Sequence, residues 1–233
     1  MVAIDASKID FLKADMPERN YNAFMANANW KSMQLRDSIK FFRPTNENRA
    51  NVDLNAEYDV QSIYPDVPFR DESKGDFEST VASSGCALLV AKFIGQFFDC
   101  TNSLTIPEMA EYAVELGYRG YKQEKDGSWT KTGMKHVFFD RFVPRFYEIL
   151  STRIRDIFEV TEAVCTNKLP VLLVKDSGYN DRPKSKESRF IAIVGFDDDK
   201  YSYLVYDPGC SHIRTVPYGK VNKAIRLGWV FSD

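Results

Sequence analysis

The sequence predicts an α+β fold, with helices first and an antiparallel sheet after them. Three observations carry that expectation. Apolar positions recur at helical spacing through the first two thirds of the chain, with CALLVAKFIGQFF (86–98) apolar nearly all round. From residue 169 onward the period becomes extended, in β-branched and aromatic runs bounded by turn residues. The tight connection Asp197–Lys200 joins two of those runs as a hairpin.

Residues 1–64 read as a mostly helical N-terminal extension. Ile9, Leu12 and Met16, then Phe24, Trp30, Met33 and Ile39, are spaced for helices, and a polar run after Pro44 closes them. Pro65 and Pro68 in YPDVPF give an extended entry into the main domain, 65–233. The 86–98 run is its central buried helix, with Ser84 as N-cap. Thr105 and Glu108 fit a capping box and Gly117 a stop, which places a helix at 106–116. Further helices are expected at 132–142 and 152–166. Strands follow at LPVLLVKD (169–176), RFIAIVGFD (189–197), YSYLVYD (201–207), IRTVPY (213–218) and GWVFS (228–232), with a short helix at 219–227.

Composition narrows the function. The chain of 233 residues is 44% hydrophobic and 27% charged, ordinary for a globular protein and enough for one sizeable core. With 31 basic and 33 acidic side chains and a pI near 5.8, it lacks the basic excess of a nucleic-acid binder. No apolar run is long enough to span a bilayer, and the N-terminus lacks the pattern of a secretory signal. A cytoplasmic protein with neither nucleic-acid nor membrane partners is therefore expected. Cys86, Cys100, Cys165 and Cys210 show no CxxC pair, so neither a metal nor a cofactor site is expected. A P-loop is absent, which leaves nucleotide hydrolysis without support.

The segment SSGCALLVAKFIGQFF carries the chemistry. Cys86 falls in the first turn of its helix, where unpaired N–H groups and the dipole favour a thiolate. The same groups would stabilise an oxyanion, and Gly85 would admit a substrate backbone. The competing reading is a small buried hydrophobe opening a core helix. A nucleophilic thiolate needs a base, and the histidines are His136 and His212. His136 falls in an expected helix and reads as structural. His212, in the turn DPGCSH, can approach Asp207, although a turn histidine is more often solvated.

The order VPF…SSGC…LPVLLV…RFIAIVGFDDD…YLVYDPG resembles the bacterial bacteriocin-processing-peptidase-like cysteine peptidases, over residues 65–232. That resemblance implies a papain-like fold with a cleft between helical lobe and sheet. It implies Cys86 as nucleophile and Asp207 as the acid that orients a histidine. Two positions depart from the pattern. The place of the oxyanion-hole glutamine falls at Asp71 or Glu72, and the place of the histidine is Arg189. Arginine stays protonated and cannot act as a general base. The expectation is a salt-bridged cluster, Arg189 with Asp207 and Glu72, in place of a proton-transfer pair. Two functions follow: a catalytically degenerate peptidase fold that binds a peptide or protein partner, or an active thiol hydrolase using Cys86, with His212 or a water-mediated route in place of the missing base. The loop 177–188, with Arg182, Lys184 and Lys186, would border the cleft.

Overall fold

The computed structural model describes residues 52–233, apart from 156, 176–178, 180–186 and 198. Most of the extension and of the basic loop thus lie outside the described residues. The α+β class is what the chain adopts. In order, the elements are α1 (Val81–Ser84), α2 (Cys86–Phe97), α3 (Ile106–Glu115), β1 (Arg119–Gln123), β2 (Trp129–Met134), α4 (Val143–Tyr147), β3 (Leu150–Arg153), α5 (Phe158–Cys165), β4 (Leu169–Lys175), β5 (Ser188–Asp197), β6 (Ser202–Tyr206), β7 (Arg214–Pro217), α6 (Tyr218–Ala224) and β8 (Ile225–Ser232). No described helix is long and apolar enough to cross a membrane.

The main sheet has six strands in the order β3-β8-β4-β5-β6-β7, every pair antiparallel. Residues 190–196 of β5 are buried without interruption, which requires cover on both faces. Helices α2 and α5 both pack on β5. Along α2, Leu88, Leu89, Val90, Phe93 and Ile94 are buried, so the helix has almost no solvent face. The Phe93 ring stacks on Tyr206 of β6 at 4.2 Å. At α3 the expected capping box is present: the Thr105 N–H donates to Glu108 Oε2 at 2.8 Å, and Pro107 fills the first turn.

Two expected helices are corrected. Residues 129–134 are not helical but form β2, paired with β1 in a separate two-stranded sheet. Asp126-Gly127 turns this hairpin, with Gly127 at φ 85°. The aromatic spacing that reads as a helix begins only at Phe138, where a π-helical turn (Phe138–Phe142) leads into α4. Within 152–166, the first residues belong to β3 and pair with β8, and α5 begins at Phe158. Thr152 is β-branched, which suits a strand.

Residues 52–64 pack on the domain. The Tyr58 N–H donates to Ser211 O at 2.7 Å and the Gln61 N–H to Pro208 O at 2.8 Å. Tyr206 OH donates to Asp59 O at 3.0 Å, and Lys92 of α2 donates to Asp59 Oδ2 at 2.7 Å. Burial works against the Asp59 charge, but hydrogen bonds from Lys92 and Tyr64 hold its carboxyl below the usual range. Tyr64, donating to the same carboxylate, is pushed up to about 12, burial being the larger cause.

Candidate functional site

The site grows from the junction of α1 and α2. Thr80 and Ser83 form a capping box for α1, and Ser84 is its last residue. The N-cap of α2 is Gly85, not Ser84 as the sequence implies. A Cβ on Gly85 would lie 2.5 Å from Val81 Cγ1 and 2.7 Å from Val81 O. Glycine is therefore required by the crowding of the two helices against each other. Cys86 follows as the first residue of α2.

The Cys86 sulfur is partly buried, and the N–H groups of Phe190 and Ala87 point to it. Burial pushes its thiol up. Those two N–H groups and the Arg189 guanidinium pull the other way with less effect, and Asp207 adds to the rise. The thiol form is thus the favoured one, opposite to the thiolate that a helix N-terminus alone would produce.

Asp207, just beyond β6, is 0% exposed and sits among hydrogen-bond donors. Its Oδ1 accepts from Arg189 Nη1 at 3.2 Å and from the Gly209 N–H at 2.9 Å. Its Oδ2 accepts from Arg214 Nη1, at the start of β7, at 2.8 Å. A Cβ on Gly209 would fall 2.9 Å from Arg189 Nη1, so glycine there leaves room for the ion pair. Buried Tyr179 lies under Arg214, whose guanidinium carbon is 5.5 Å from the ring centre.

Cys86, Arg189 and Asp207 line one cavity of about 500 Å³. Gln61 also lines it, with its Nε2 donating to Ala82 O at 2.8 Å. So do Lys131 to Met134 of β2, and then His136. His136 is half-buried and sits edge-on to Trp229 at 5.9 Å. Burial and the nearby Arg153 hold its imidazole below the usual histidine value, against the smaller opposing effect of Asp140. It is a neutral ring at neutral pH.

Two expected members lie elsewhere. Glu72 is 61% exposed in its side chain and pairs with Arg70 at 3.2 Å, so it does not join the Arg189 cluster. Asp71 caps its own short turn, accepting from the Ser73 N–H at 3.0 Å. Exposed His212 reaches Ala56 O at 3.4 Å and Glu57 at 3.7 Å and does not line the cavity. The base assigned to the hydrolase reading is therefore misplaced: its turn faces the entering segment 56–58 rather than Cys86. Arg182, Lys184 and Lys186 lie outside the described residues.

Three site residues escape the sequence reading, Gln61, Lys131 and Arg214, and His136, read there as structural, also reaches the cavity. Arg214 had a signal, since it opens a strand seven residues after Asp207. The other three arrive through tertiary packing alone. Among the described residues, no group of acidic, histidine and cysteine side chains could hold a metal ion.

No family model matches the chain, and no curated protein is significantly similar to it. Among solved structures, the "putative C39-like peptidase from Bacillus anthracis" is similar at a TM-score of 0.49 and 12% identity, over 72% of this chain and 96% of that one. At that identity and score the likeness bears on neither activity nor site.

Proposed function

We propose that the protein is a catalytically degenerate papain-like cysteine-peptidase fold that binds a peptide or protein partner in the cavity beside Cys86. One observation carries this reading. The side chain on β5 next to Cys86 is a guanidinium, and it is bonded to the carboxylate that would otherwise orient a base. A guanidinium can lower a thiol pKa by charge but cannot take or return a proton. The raised thiol of Cys86 points the same way. A cavity of about 500 Å³ is of the size that holds a small ligand or a short stretch of peptide.

Alkylation of Cys86 followed across pH, read by mass spectrometry, tests the proposal. The expected result is labelling that falls away below the ordinary thiol range, with no turnover of acyl or peptide substrates. Labelling that persists at acid pH, together with turnover, would overturn it in favour of an active thiol hydrolase. That second reading draws on one observation: His136 lines the same cavity. Turnover abolished by His136→Ala would identify it as the base.

A further inference from the structure

The β1–β2 hairpin divides into a fixed base and an outer arm. At the base, Arg119 and Met134 are partners in the ladder and both are buried. The Arg119 guanidinium lies 4.8 Å over the Phe69 ring and 3.9 Å from Asp76. The next pair outward is Gly120 with Gly133. The register slips directly after Gly120, and Gly133 stands at φ 88°, in the left-handed region that glycine adopts without strain. A Cβ on Gly120 would run into Thr132 Oγ1 and lie 2.8 Å from Gly133 O, so the two backbones meet with no side chain between them. Beyond this pair, residues 122–132 are exposed apart from partly buried Glu124. No third strand holds the arm, because β1 and β2 pair only with each other. A two-stranded ribbon of that kind is marginally stable without outside contacts. Among the described residues, the arm's hydrogen bonds, ion pairs and ring contacts outside the hairpin all reach residues 71–79. Tyr121 OH accepts from the Asp71 N–H and donates to Asp76 Oδ2, both at 2.8 Å. Lys131 Nζ donates to Ser79 Oγ at 3.1 Å and lies 3.7 Å from Asp76 Oδ1. Lys74 Nζ sits 4.4 Å from the centre of the Trp129 ring. Asp76 itself is buried. Lys131 and Thr132 of the arm line the cavity that Cys86 lines.

We propose that the arm, residues 121–132, is a movable part of the cavity lining, hinged at the Gly120–Gly133 pair and latched to Asp76 through Tyr121 and Lys131. Latched, it keeps Lys131 and Thr132 in the lining. Released, it withdraws them and admits larger molecules to Cys86. The two halves of the latch differ in kind. The Tyr121 hydrogen bond ends on a buried carboxylate, where such a bond is worth most. The Lys131 side chain is 52% exposed, so its ion pair is weaker and is screened by salt. The device controls access to the cavity whether the ligand is bound or turned over there, and so goes beyond the functional reading above.

The test compares two neutral reagents of one chemistry and different size, N-ethylmaleimide and a maleimide joined to biotin through a short polyethylene glycol. Each is reacted with the full chain, and the rate at Cys86 is read by peptide mass spectrometry. The ratio of large-reagent to small-reagent rates cancels any change in the thiol itself, and labelling through an open state follows the population of that state. In the wild-type chain the large reagent is expected to react more slowly. Tyr121→Phe should raise the ratio about tenfold, the worth of one hydrogen bond to a charged group. Lys131→Met should raise it less, and Lys131→Arg should keep the wild-type ratio. High salt should raise the ratio in the wild type and in Tyr121→Phe but not in Lys131→Met. Hydrogen exchange should quicken at residues 121–132 of the two unlatched variants and stay unchanged in β4 and β5, with melting curves showing that both variants fold. Equal rates for the two reagents in the wild type would overturn the proposal. So would a ratio that neither variant changes, even with faster exchange in the arm. Exchange that quickens equally in β4 and β5 would mean general loosening and would overturn it as well.

Discussion

Asp207 and Asp140 are both carboxylates bound to arginine, yet they do different work. Asp140 is closed one to one. Its Oδ1 accepts from Arg153 Nε at 2.6 Å and Trp229 Nε1 at 2.8 Å, and its Oδ2 from Arg153 Nη2 at 2.5 Å. The Arg153 guanidinium also stacks 4.5 Å over the Trp229 ring. The fork ties the turn after β2 to β3 and β8 and leaves no charge over. Asp207 is fully buried and shared by two guanidinium groups, one of which, Arg189, lines the cavity. A closed pair makes a strut, whereas a shared carboxylate fixes a guanidinium at a cavity wall.

That contrast can be broken in three places, in falling order of effect. Asp207→Ala removes a fully buried carboxylate shared by two partly buried cations and should cost about 3–5 kcal/mol, measured by chemical denaturation. A loss below about 1 kcal/mol would mean that water already screens the cluster. Asp140→Asn removes charge from a carboxylate whose side chain is 30% exposed and should cost less, about 1.5–3 kcal/mol. It should leave Cys86 alkylation untouched, whereas changes at Asp207 should alter it.

The smallest effect is the pH slope near Asp140. The His136 value is depressed in the fold, so the unfolded chain binds the proton more readily. Stability from this group is complete above the ordinary value of 6.5 and is lost as pH falls through the lower folded value. His136→Phe should flatten that part of a stability-against-pH curve. The Asp140 carboxyl is also depressed: hydrogen bonds from Arg153 and Trp229 outweigh the largest single effect, burial, which raises it. Its contribution is lost further down, as pH falls below the ordinary carboxylate value of 3.8.

The sheet was legible because β4, β5 and β6 are uninterrupted apolar runs that no exposed helix could carry. The hairpin β1–β2 was not, because Met134, Phe138 and Phe142 keep helical spacing across a boundary that only Gly133 and the Asp126-Gly127 turn betray. Cys86 could be picked out from its helix opening, whereas Arg189 and Asp207 were assigned through the family resemblance carried by the strand and the DP turn. Lys131 and His136 share the cavity only because the hairpin folds across it, and no local pattern encodes that approach. Glu72 was misassigned because an extended entry segment fixes direction but not depth. The chain carries it to an exposed 3₁₀ turn.

The way residues 58–61 are stitched to the 208–211 turn bears on how the protein can be shortened. A version beginning at Pro65, where the prolines invite a cut, would discard the Gln61 side of the cavity, the anchor on Pro208 and the Asp59 acceptor for Lys92. Such a fragment would present a cavity stripped of part of its lining. Crystallisation or display formats meant to keep that lining should therefore start upstream of Tyr58.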